Sequence, residues 1–280
     1  MKKFSSYTHW TTEFAAQGCF DDINQMAAFD EWQQWPSCKA LDSLLPYEVT
    51  NNNNKLIQFV EQRPDQDYSA VDYETQIYDT GKVPTRSQSW HDIFGALVWS
   101  MFPLSKAKIN ELHVKDIRSH GAETRSKLRN ALTLFDECGV VIVTKNQDVL
   151  EQLRNHQWEE ALWQNRELWH QKSEQGVAVY QFGHANYEML TKPFVGLTGK
   201  WICVDASAEI LSLPKNVQYR ILDQKLNALL TEGLLSDNSK MSPLPLLGVP
   251  GWHTDNEDKA YYENTDYFRP KRQTNVNEKD

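Results

Sequence analysis

Seven apolar side chains between Trp90 and Phe102 (Trp90, Ile93, Phe94, Leu97, Val98, Met101 and Phe102) recur at three- and four-residue spacing, and Pro103 ends the run. That spacing predicts a helix with a broad apolar face, which has to be covered by other parts of the chain. Proline steers the residue before it out of the helical region, so the helix stops there. A second helix is expected over about 104–118, with Leu104, Ile109, Leu112 and Ile117 inward. Two β-rich runs around Gly139 predict a hairpin over 131–144 with Asp136 and Glu137 at its tip. Further helices are expected over 148–173, 183–190 and 214–232, and strands over 177–182 and 200–204.

Helices therefore segregate before and after a few strands, without βαβ alternation. The expected class is α+β, with a small sheet of about four strands, including the 131–144 hairpin, surrounded by helices. Residues 1–50 read as an aromatic-rich helical segment packed on the core, 51–70 as a polar loop containing four consecutive asparagines, 71–270 as the main domain and 271–280 as a disordered tail. A chain of 280 residues can bury a sizeable core.

With 29 Lys and Arg against 38 Asp and Glu, the formal charge is −9, which argues against a nucleic-acid binder relying on bulk charge. No stretch approaches the ~20 apolar residues of a membrane helix. The amino terminus has no apolar signal region, and Cys19, Cys38, Cys138 and Cys203 are scattered. A cytoplasmic address with reduced thiols is expected.

Several collinear stretches resemble one bacterial family. They are Thr80–Arg86, His91–Phe94 running into Leu97–Trp99, Phe102-Pro103 with Lys106 and Asn110, Ala131–Glu137, Phe182–Ala185 with Glu188, Pro243–Pro245, Pro250–Trp252 and Phe268–Pro270. This set resembles the domain of unknown function 3025 (DUF3025). The family pattern often carries Asn at positions 95 and 138 and Asp at 130, where this chain has Gly95, Cys138 and Asn130. The resemblance implies a soluble bacterial protein and carries no established reaction.

The chemistry must come from the residues. His91 and Asp92 are both able to ligate a divalent cation, and His91 is a candidate general base. Ser89 and Asp92 also have capping-box spacing, which accounts for Asp92 structurally. His184 and Glu188 lie four apart on a predicted helix and share a face, a spacing that suits two ligands or a histidine oriented by a carboxylate. Glu137 is a candidate catalytic carboxylate, and Arg86, in the loop before the His91 helix, a candidate clamp for a phosphate or carboxylate. Arg125 and Arg129 read as a solvated helix face, and His113 and His120 as structural. There is no phosphate-cradling glycine motif and no nucleophile elbow.

The inventory points to a metal-assisted hydrolase of a small anionic substrate, with His91, Asp92, His184 and Glu188 holding a divalent metal. Two alternatives remain open: a non-enzymatic adaptor for a protein partner, and a small-anion sensor without turnover. The hydrolase reading requires His91 and His184, 93 residues apart, to meet in space.

Overall fold

A computed structural model of the chain describes residues 4–272 except 47, 64–67, 171, 174 and 207. The described chain opens with helices α1 (Asp21–Ala27) and α2 (Cys38–Asp42), strand β1 (Gln58–Glu61), helix α3 (Ala70–Thr80) and strand β2 (Lys82–Thr85). Three consecutive helices follow, α4 (Trp90–Met101), α5 (Pro103–His120) and α6 (Lys127–Cys138). Then come β3 (Gly139–Val143), α7 (Gln147–Arg154), β4 (Ala178–Gln181), α8 (His184–Leu190), β5 (Thr198–Cys203), α9 (Lys215–Thr231) and β6 (Ser242–Pro245). β1 and β2 form a parallel pair. The main sheet runs β4-β3-β5-β6, with β3 antiparallel to β4 and parallel to β5, and β6 antiparallel to β5. The chain is α+β, as expected. Among the described residues no helix is long and apolar enough to cross a membrane.

β3 is covered on both faces, which is why its sequence reads as an unbroken Val140–Val143 run. α4 forms as its spacing predicts. The Ser89 hydroxyl accepts the Asp92 N–H at 3.3 Å, and Trp90, Ile93, Phe94, Leu97, Val98 and Met101 are buried. Pro103 then occupies the first turn of α5, where its missing N–H costs nothing. Phe102 has no side chain to cap that helix. Asp223 of α9 does so instead, accepting the Leu104 and Ser105 N–H groups at 2.8 Å each.

Four expectations fail, each for a local reason. Residues 131–144 are not a hairpin: 131–138 finish α6, and only 139–143 are a strand. Ser126 caps the helix by accepting the Arg129 N–H, and Ala131, Leu132 and Phe135 share its buried face. The expected helix over 148–173 breaks after Arg154, at Asn155 and His156, where His156 takes a positive φ of 58°. α5 does not bury the side assigned to it. Of the four residues expected inward, only Ile109 is buried, Leu104 is 36% exposed, and Lys106, Asn110 and His113 point in instead. The 51–70 stretch contains β1, and its Asn51 is buried, its side chain bonded to the Ile77 and Tyr78 carbonyls.

The amino-terminal segment contributes to the main core. Phe14, Phe20, Ile23 and Phe29 are buried with Trp90 and Phe94, and Trp10 stacks on Trp90 with ring centroids 4.8 Å apart. Most of the tail expected at 271–280 lies outside the described residues.

Candidate functional site

Three helix ends meet at one point. His91 sits in the first turn of α4, Asp136 and Glu137 in the last turn of α6, and His184 at the start of α8. Gly183 allows the meeting. A Cβ there would stand 2.5 Å from the Glu137 carbonyl oxygen and 2.6 Å from the Cys138 backbone. Only glycine lets the β4–α8 turn lie directly on the α6–β3 turn.

His184 Nδ1 lies 2.8 Å from the Asp136 carbonyl oxygen. A carbonyl only accepts, so Nδ1 carries the proton and donates it, and Nε2 is left with a lone pair. His91 Nδ1 lies 3.1 Å from Glu188 Oε2, and the other Glu188 oxygen accepts from the Ser6 hydroxyl. Each imidazole is thus held from behind, and the two Nε2 atoms face each other at 3.0 Å. Glu137 Oε2 lies 3.6 Å from His184 Nε2. One ligand atom from each of His91, Glu137 and His184 falls within a group no wider than 4.8 Å. A tetrahedral zinc with ~2.0–2.1 Å bonds would hold two nitrogens about 3.3 Å apart, close to the separation found.

The electrostatics match this geometry. Burial holds the His184 imidazolium down to about 4; Asp136 pulls the other way, and Lys106 and His91 reinforce the burial. Burial also works against a charged His91, but its hydrogen bond to Glu188 and the charges of Glu137, Glu188 and Asp92 outweigh it and raise its pKa. Since His184 Nε2 carries the lone pair, His91 Nε2 is the donor in the 3.0 Å contact between them. Burial first, and Asp136 next, raise Glu137. Glu188 is held low despite its burial by His91 and Ser6. Asp136 is held low by Lys106 and His184, against the cost of its burial.

His91, Glu137 and His184 line a cavity of about 440 Å³ whose walls also include Tyr73 of α3, Trp99 of α4, Lys106 and His113 of α5, and Arg129 of α6. His91, His184 and Glu137 converge there, with Glu188 behind His91. Asp92 is not in the ligand group. Its carboxylate takes a guanidinium fork from Arg86, Nη2 at 2.6 Å and Nε at 3.1 Å, together with the Arg86 N–H at 2.5 Å. Arg86 also lines the cavity, but Asp92 already occupies its fork. Arg129, expected on a solvated face, is only 6% exposed and lines the cavity. The spacing of Arg129, Thr133 and Asp136 on one helix face carries that signal once 127–138 is read as helix.

A family model described as a protein of unknown function (DUF3025) matches residues 57–272, a range that holds His91, Glu137, His184 and Glu188. Ser6 and the aromatic amino-terminal segment lie outside it. No curated protein and no solved structure matches the chain.

Proposed function

The chain belongs to the DUF3025 family of proteins of unknown function, and from its site we propose that it is a metal-assisted hydrolase acting on a small anionic substrate. The observation that carries this reading is the pair of imidazole Nε2 atoms facing each other at 3.0 Å beside the Glu137 carboxylate, in the wall of a cavity. His91, His184 and one oxygen of Glu137 would supply three ligands to a divalent cation. Catalytic zinc sites of this kind keep a fourth position for water, whose pKa the metal lowers to ~7. The second Glu137 oxygen would take the proton from that water. Glu188 and the Asp136 carbonyl fix the tautomers from behind, as the outer partners of ligating histidines commonly do. The converging imidazoles favour this reading over a non-catalytic anion sensor. All four cysteines are unpaired, which supports a reducing, cytoplasmic address.

The test is metal content by mass spectrometry on protein purified without chelator or nickel. Wild type should carry near-stoichiometric zinc, manganese or iron, and His91→Ala and His184→Ala should lose it. Glu188→Gln should bind metal about 10–100-fold more weakly, because His91 is no longer oriented. Wild-type protein that arrives metal-free and takes up none of these ions on titration would overturn the reading.

A further inference from the structure

Only some of the cations that line the cavity are paired with a carboxylate. Arg86 is paired with Asp92 and Lys106 with Asp136. Arg129 is different. It is 6% exposed, its Nη1 donates to the Ala122 and Thr124 carbonyls at a long 3.3 Å each, and its buried Nε has no partner. Among the described residues no carboxylate forms an ion pair with it. A buried guanidinium left without a counter-ion is costly, and an anionic ligand would remove that cost.

Two neighbours face the same space. Arg125, also at the cavity and exposed, donates to the Thr133 hydroxyl at 2.5 Å and pairs with no carboxylate among the described residues. His113 lines the same wall, is 5% exposed and makes no hydrogen bond among the described residues. Glu74, which also lines the cavity, takes the Asn110 amide at 2.7 Å and forms no ion pair with either arginine among the described residues. We propose that this α5–α6 wall is a phosphate-binding subsite, in which Arg129 and Arg125, assisted by His113, hold the phosphoryl group of a small phosphate ester. Two guanidinium forks match a phosphate monoester, with its charge of about −1.5 to −2, better than a singly charged carboxylate. The inference rests on the hydrolase reading only in making this phosphate the handle of a substrate. It moves anion recognition from Arg86, whose fork is occupied, to Arg129.

The experiment is calorimetric titration of the full chain with inorganic phosphate. Wild type should bind it. Arg129→Lys and Arg125→Gln should each weaken binding by about ten- to a hundredfold, the loss of one charged hydrogen-bonding partner. Arg125 is exposed, so its variant keeps the test valid should the Arg129 variant fail to fold. The double variant His91→Ala/His184→Ala should still bind phosphate. Absence of binding to wild type, unchanged binding in folded arginine variants, or acetate competing as well as phosphate would overturn the subsite. So would loss of phosphate binding in the double histidine variant, since the anion would then depend on the metal end. Phosphate binding by a wild-type chain that takes up no metal would overturn the hydrolase reading and leave the subsite standing.

Discussion

His184 has already given its one proton to the Asp136 carbonyl, so a second, on Nε2, would place a buried charge beside Lys106 and His91. Burial is the main reason its pKa falls to about 4 from 6.5. Unfolding therefore takes up a proton between those values. The stability that neutral His184 contributes is present above about pH 6.5 and is lost as the pH falls toward 4, a swing of about 3 kcal/mol. Urea denaturation of metal-free protein between pH 7 and 4 should show wild type losing more stability than His184→Asn, whose amide can still reach the Asp136 carbonyl; equal slopes would refute this account. The same scale explains what the sequence revealed of the site. His91 and His184 stand out because the chain has only 8 histidines and these two fall at the starts of expected helices; Glu188 follows as the partner four residues after His184, and Glu137 reads from the sequence as part of a hairpin tip. Asp92 misleads. Adjacent residues on a helix point in different directions, so His91 and Asp92 cannot both face one ion, and Asp92 turns to Arg86.

At the scale of elements, 131–138 is the departure from expectation that matters most for the site. Its Leu132, Leu134 and hydrophobic flanks alternate well enough to imitate a strand, and over so few residues the two periods are hard to separate. The deciding evidence lay upstream, in Ser126 as a cap and Leu128 as a further apolar position three residues before Ala131. Reading the helix correctly moves Asp136 and Glu137 from a hairpin tip to a helix end, and brings Arg129 into the cavity. The α6–α8 junction is held by close backbone approach, which a sequence does not display. Gly183→Ala should cost about 1–3 kcal/mol through overpacking against the Glu137 and Cys138 backbone. It should also reduce metal retention, since Glu137 and His184 would be pushed apart. Gly95→Ala is the control. A Cβ at that helical position meets only His184 Cδ2, at 4.0 Å, and replacing a mid-helix glycine should leave stability unchanged or raise it by about 0.5–1 kcal/mol. Thermal denaturation of both variants would separate the effects, and equal behaviour would show that the close approach does not hold the site together.

At the scale of the molecule, buried apolar side chains among the described residues form two clusters. The larger joins the amino-terminal aromatics, the main sheet and one side of α4; the smaller holds Leu41, Val49, Ile57, Phe59, Ile77 and Val83 against Ala96, Trp99 and Ala107. α4 and α5 serve both. The cavity lies along this seam, because Phe59, Val83 and Trp99 of the small cluster line it together with charged residues of α6. A two-stranded parallel pair over a small cluster buries too little to match the stability of the four-stranded sheet, so the unit around β1 and β2 should open more readily than β3 and β5. Hydrogen exchange should therefore find β1 and β2 amides exchanging faster than those of β3. A ligand that binds only when the two clusters are closed together would, at about a hundred times its Kd, add ~2.7 kcal/mol to the closed state. Inorganic phosphate should slow exchange in β1, β2 and α3 and leave β5 nearly unchanged. If β1 and β2 exchange as slowly as β3 and phosphate alters neither, the two clusters form one cooperative unit, and access to the cavity does not depend on opening at the seam.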